Sequence, residues 1–463
     1  MIENLAYKPI LQKAASRGGQ FAELFVEERV QTEIVLEAGI LERASFGILR
    51  GAGVRLVSDL RTRYAYSNSL LQSDLLMLAA RVAEAADKDD RVIEIPLEHK
   101  PVSAPEVSKV KQPPDQVDIR TKIELVRRAE AAARKVDRSI IQVRVRYLDL
   151  QRTIGIANSD GTLVSDQATH TLFVVQAIAA KDGELQVGYE PRGGTVGFEL
   201  FQTENPEQAA LNAAKKAVLM LHARKAPGGK MPVVISSSAG GTMIHEAIGH
   251  GLEADLAEQG LSVYQNKTGQ QIASKLVSVA DDKTLPGRRG SYRVDDEGTA
   301  SERTLLVENG VLKNFMYNRL EALRAGKKST ANGRRESFRF RPIVRMSNTM
   351  VLPGKSAPSE IIKSVAAGLF VKKMGGGQVD TVSGDFVFEV SEGYLIEGCE
   401  VGEPVRGATL VGNGPRVLME IDMVGSDLGF GIGTCGKDNQ GVPVADAQPT
   451  LRIPEIIVGG ALG

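Results

Sequence analysis

The sequence predicts an α+β protein: an N-terminal α/β domain with a mainly antiparallel sheet and helices, a C-terminal β-rich domain, and a histidine-bearing helix between them. Three observations carry that prediction. Runs of period-2 alternation in the N-terminal half interleave with amphipathic segments, as an antiparallel sheet with helices on one face requires. The strand candidates there are joined by short Gly turns, Asp160-Gly161 and Asp182-Gly183 among them, which favour hairpins over crossovers. Beyond Pro227-Gly228-Gly229 the chain turns Gly-rich and strand-rich with few helical patterns, suggesting a distorted barrel or sandwich. The expected domains are therefore 1–228, with a Pro-rich connection near 100–117, and 229–463.

Taken in order, a first helix is expected over about Ile10 to Ser16, and Ala22 opens the first strand. Gln31 to Leu36 alternates polar and apolar, Gly39 turns the chain, and Leu41 to Leu49 alternates again. Gly51 to Val57 and Arg63 to Ser67 are further strand candidates, and Ser73 caps an amphipathic helix. Pro101, Pro105, Pro113 and Pro114 mark a linker or extended crossover, after which Asp118 to Val136 reads as a strongly amphipathic helix. In the strand Ile140 to Tyr147, Gln142, Arg144 and Arg146 face away from Val143, Val145 and Tyr147 and are expected on the solvated face. Asn205-Pro206 starts a helix that runs to about Arg224, with His222 at its negative end. Shorter helices are expected over Arg319 to Ala325 and Ser359 to Ala367, and Gly375-Gly376-Gly377 reads as a flexible turn. His99 and His170 read as incidental.

Composition removes several function classes. The 57 basic and 57 acidic residues cancel, so nothing global favours nucleic acid or an anionic membrane. Aromatic content of 5% without Trp disfavours base-stacking platforms. No apolar run approaches the ~20 residues of a membrane span. The start, Met1-Ile-Glu-Asn-Leu-Ala-Tyr-Lys8, lacks a basic region and apolar centre, so a cytoplasmic location is expected. Two cysteines in 463 residues are no disulfide framework. Cys399 reads as a hairpin-turn bystander, whereas Cys435 lies among glycines that let backbone approach a site.

The chemistry concentrates in His245-Glu246-Ala-Ile-Gly-His250. Only 5 histidines occur in the chain, and two of them bracket one glutamate in an otherwise apolar helix. The pattern is one residue longer than the zinc-protease motif His-Glu-x-x-His. Residues five apart on an α-helix are splayed by roughly 140°. For both imidazoles to hold one metal, the helix must bulge near Gly249, and a single π turn achieves this. Neutral imidazoles suit zinc, and a catalytic site keeps three protein ligands and one open position. Glu246 is placed to act as general base. Cys435, Glu253 and Asp255 compete for the third ligand position.

His245-Glu-Ala-Ile-Gly-His-Gly-Leu-Glu-Ala-Asp255 resembles the signature helix of the catalytic subunit in the TldD/TldE (PmbA) metalloprotease family. Asp281 to Gly298, Asn332 to Ser337, Pro342 to Thr349, Gly376 to Phe386 and Thr434-Cys-Gly-Lys437 are also similar to family segments, in family order from about Phe21 to the end. The resemblance implies His245, His250 and Cys435 as ligands of one Zn²⁺, with Glu246 as base. It also implies unfolded or extended peptides as substrates, and a dimer with a TldE-like chain or a second copy. The competing expectations are a zinc amidohydrolase acting on small molecules and a non-catalytic peptide-binding protein with structural zinc, in which Glu253 or Asp255 would supply a fourth ligand. Arg334, Arg335, Arg341 and Arg345 are expected in surface salt bridges, or one of them on a substrate carbonyl or carboxylate.

Overall fold

One antiparallel sheet dominates the N-terminal half. In this computed structural model, which describes residues 2, 5–88, 91–96 and 100–460, its strands lie in the order Arg61–Ser67, Ile40–Ser58, Phe21–Glu37, Ile140–Asn158, Thr162–Lys181, Glu184–Gly194. The strands are long because stretches that read as separate strands are continuous. Gly47 and Gly51 sit inside one strand paired with Gln31 and Glu27. The Pro-rich connection adds only a two-residue parallel pairing, Lys100 with Thr162. His99 lies outside the described residues.

Period-2 alternation decides what each face meets. Leu24 and Val26 pack under the helices Tyr7–Ala14 and Gln72–Glu84. Ile34 and Leu36 pack with Val143, Val145 and Phe173 under the helices Ile119–Arg134 and Pro206–His222. Both helical layers thus cover one face. The first helix begins three residues earlier than its apolar pattern suggests, and Ser73 lies inside its helix rather than capping it. His222 is the last residue of its helix, as expected.

The opposite face carries Glu23, Phe25 and Glu27, and it is buried against the C-terminal half. Phe25 packs with Phe338 and Val294. Glu23 pairs with Arg335, Glu27 with Arg152, and Glu297 reaches across to Arg55. Arg334, Arg335 and Arg345 are buried, not in surface salt bridges: the sheet face supplies Glu23 to Arg335, while Arg334 donates to the Met346 and Pro443 carbonyls and Arg345 to those of Cys435 and Gln440. Arg341 alone of the four is exposed, 3.9 Å from Asp438.

In the C-terminal half, the strands Ala367–Val379, Gly229–Ile235, Leu451–Gly459, Thr409–Asn413 and Asp385–Glu397 pair in a closed ring, so the barrel expectation holds for these five. Gly375 to Gly377 lie within the first of these strands and do not form a turn; a Cβ on Gly377 would come within 1.9 Å of the Phe388 ring. A second sheet orders Val311–Leu312, Arg303–Glu308, Val279–Asp282, Thr349–Val351, Gln440–Gln448 and Gly429–Lys437. The strand carrying Cys435 is the edge of that sheet. Cys399 occupies the turn between Asp385–Glu397 and Glu400–Arg406, with φ +69°.

Candidate metal centre

The chain enters the site from the buried strand Gly229–Ile235 through a short 3₁₀ turn capped by Ser236, whose Oγ accepts the Ser238 N–H at 3.2 Å. No single regular helix follows. One α-helical turn at Thr242–Ile244 gives way to a π-helical turn over His245–Gly249 and a 3₁₀ turn over His250–Leu252. The defining bond is His250 N–H to the His245 carbonyl, five residues back. The Ala247 carbonyl accepts the buried Tyr264 hydroxyl at 2.9 Å instead. The π turn brings the two imidazoles together, with ring centroids 4.9 Å apart and planes nearly perpendicular.

Gly249 contributes in a way its φ does not reveal. Its backbone is ordinary helix (φ −57°, ψ −57°), so no special conformation requires glycine. The constraint is space, since a Cβ there would lie 2.2 Å from the Met346 Sδ.

The edge strand Gly429–Lys437 then delivers Cys435. Its Sγ lies 3.2 Å from His245 Nε2 and 3.5 Å from His250 Nε2. One ligand atom from each of the three residues falls within 4.8 Å of the others, and no other such group occurs among the described residues. The Cys435 carbonyl is held by the fully buried Arg345, which also donates to the Gln440 carbonyl at 3.0 Å and so fixes both strands of the hairpin.

Each imidazole is oriented from behind. His245 Nδ1 lies 2.9 Å from Asp446 Oδ1, and His250 Nδ1 lies 2.9 Å from Glu253 Oε2. Both Nε2 atoms are thereby turned toward the thiol, the carboxylate–histidine arrangement typical of metal sites. Lys437 Nζ links Glu253 (3.0 Å) to Asp255 (2.6 and 2.8 Å). Glu253 and Asp255, rivals of Cys435 in the sequence, are thus engaged by Lys437 and His250 rather than joining the three-residue group.

The electrostatics follow from these contacts. Burial raises the Cys435 thiol, but hydrogen bonds and charge from both imidazoles outweigh it and bring the group down to about 5. Burial opposes charge on the histidines too, yet Asp446 holds His245 well above its ordinary value and Glu253 lifts His250 to about 9. Burial likewise works against the Glu253 carboxylate, but Lys437 and His250 bring it down to about 2. Burial raises Glu246, which lines the same open cleft of about 580 Å³ as the two histidines and Cys435. A thiolate beside two imidazoles, with no fourth protein ligand among the described residues, is a donor set with an open position.

All four residues singled out in the sequence, His245, Glu246, His250 and Cys435, line this one cleft. Asp446 and Tyr264 were missed, as were the contacts that Arg345 makes with the Cys435 carbonyl and Lys437 with Glu253. Asp446 left one signal, an acid between alanines in the otherwise apolar stretch Val442-Pro-Val-Ala-Asp-Ala447.

Comparison with known proteins agrees across the chain. Profiles described as PmbA/TldA metallopeptidase domain 1, central domain and C-terminal domain match residues 22–86, 112–221 and 228–460. A protein named metalloprotease TldD homolog from Haemophilus influenzae is 37% identical over 451 residues, covering 96% of this chain and 94% of its own. A protein named metalloprotease from Methanothermobacter thermautotrophicus is 34% identical, covering 95% and 96%. The crystal structure of TldE from Thermococcus kodakarensis shares the fold, with a TM-score of 0.78 at 17% identity over 98% of this chain and 100% of that one. The chain belongs to the PmbA/TldD metallopeptidase family.

Proposed function

We propose that the chain is a zinc-dependent peptidase of the TldD type, with His245, His250 and Cys435 as the metal ligands and Glu246 as general base. The observation that carries this reading is the convergence of both Nε2 atoms on the Cys435 thiol, with each Nδ1 already engaged by a carboxylate. Nitrogen and thiolate donors suit zinc better than magnesium or calcium, which take oxygen. Bound there, zinc supplies Lewis-acid polarisation of the scissile carbonyl and acidifies water. Asp446 and Glu253 hold the imidazoles in register, and Lys437 neutralises Glu253. A Glu246 carboxylate oxygen takes the proton of the attacking water and returns it to the leaving amine.

Peptides rather than small amides are the proposed substrates. The cleft is open, and among the described residues no strand pairs with the outer side of the Cys435 strand, to which an extended unfolded peptide can add as a further strand. A structural zinc site is disfavoured because both candidate fourth ligands are occupied by Lys437 and His250. The reading includes a cytoplasmic location, in keeping with two unpaired cysteines, and assembly with a TldE-like chain or a second copy. Elemental analysis paired with digestion of an unfolded protein tests it. Glu246→Gln is expected to keep one zinc per chain and lose turnover by a factor on the order of 10² or more, while Cys435→Ser loses zinc and turnover together. Full cleavage by Glu246→Gln would sink the mechanism. Full zinc in Cys435→Ser would remove the thiolate from the ligand set.

A further inference from the structure

A second groove, of about 570 Å³, adjoins the cleft and shares Ile432, Gly433 and Thr434 of the Cys435 strand with it. Its far wall is the sheet face bearing Arg43, Arg144 and Arg146, and Arg289 lies at the junction. Arg144 and Arg146 read in the sequence as merely solvated, whereas the fold turns them onto this groove. Among the described residues the only acid lining the groove is Glu33, which is shared by Arg43 (2.7 Å) and Arg146 (2.8 Å). Arg144 reaches Glu37 at 3.4 Å.

Arg289 differs from these three. It is 93% buried, its Nε donates to the Gly433 carbonyl at 3.2 Å, and among the described residues no carboxylate pairs with it. Burial, with Arg146 and Arg334 nearby, lowers it to about 10, so it stays protonated at neutral pH. A buried cation beside other cations is costly unless an anion arrives. Cys435 is two residues along the strand from Gly433, or about 7 Å, which an extended peptide spans in about two residues.

We infer that this groove is a substrate subsite that binds a carboxylate of the peptide, either an acidic side chain or the free C-terminus, within about two to three residues of the cleaved bond. The inference rests on the peptidase reading and adds a charge preference to it. Fluorescence anisotropy with labelled peptides of equal length tests it on the full-length Glu246→Gln chain. The four probes are neutral with an amidated end, Glu-containing and amidated, neutral with a free C-terminus, and Lys-containing and amidated. One or both carboxylate-bearing probes are expected to bind roughly tenfold tighter than the neutral amide. Which of them does so identifies the source, and the gain should shrink as salt is raised. Adding Arg289→Met or Arg146→Gln should erase the gain, so that within each variant the carboxylate-bearing probes bind no tighter than the neutral amide. Equal affinities for all probes, or a preference that survives Arg289→Met, overturns the subsite. Cleavage of the neutral amide by the wild-type chain is scored separately. Cleavage without carboxylate preference removes the subsite alone, and failure to bind any peptide removes both readings.

Discussion

At the scale of single residues, the site is set less by its proposed ligands than by what stands behind them. An imidazole free to rotate offers either nitrogen. Asp446 and Glu253 remove that freedom by engaging both Nδ1 atoms. Partners of this kind typically contribute 10- to 100-fold in metal affinity. Asp446→Asn keeps the shape but loses the charge opposite His245, so zinc affinity is expected to fall by about tenfold with the fold intact. Competition against a chelator measures this, and unchanged affinity would show that Asp446 is only a packing residue. His245, Glu246 and His250 were legible in the sequence because their types and spacing are rare together. Asp446 was not, since one acid in an apolar strand is a weak signal that names no partner, and it acquires its role only when Gly431 pairs opposite it and the Gly241 N–H binds its carbonyl at 3.0 Å.

At the scale of elements, the five-residue histidine gap predicts a departure from α-helix, and the π turn at His245–Gly249 is that departure. Gly249 and Gly251 flank His250, and their flexibility is one explanation for it, whereas the structure attributes the need for Gly249 to contact with Met346. These explanations differ in outcome. Gly249→Ala is expected to cost about 1–3 kcal/mol through overpacking against fully buried Met346, and Met346→Ala in the same chain should recover part of it. Urea midpoints decide, because an equal cost in both backgrounds would restore the backbone explanation. Gly375 to Gly377 were misread for a similar reason. A glycine run looks like a turn locally, but Gly377 makes room for the Phe388 ring of the neighbouring strand, a tertiary fact with no local trace. The amphipathic helices, hairpin turns and alternating strands were legible because burial on one face imposes a period on the sequence itself.

At the scale of the whole molecule, the N-terminal sheet does more than sit beside the metal centre. Its charged face clasps the segment around Arg335, and that segment holds the Cys435 hairpin. Glu23 pairs with Arg335, Glu27 accepts the Phe338 N–H at 2.8 Å, and Arg29 donates to the Glu336 carbonyl at 2.9 Å. Glu336 in turn accepts the Gly441 N–H at 2.7 Å, beside the turn that follows Cys435. The Glu23–Arg335 pair is wholly buried, so removing the Glu23 charge leaves Arg335 without its paired carboxylate in a low-dielectric interior. Glu23→Gln is expected to destabilise the protein by about 3 kcal/mol, whereas Glu23→Gln with Arg335→Met should recover much of that loss, since the stranded charge is gone. Chemical unfolding of the wild type, the single variant and the double variant measures the cycle. A double variant as unstable as Glu23→Gln alone would mean that the interface depends on Arg335 for its packing against Phe25 and Tyr64, not for its charge.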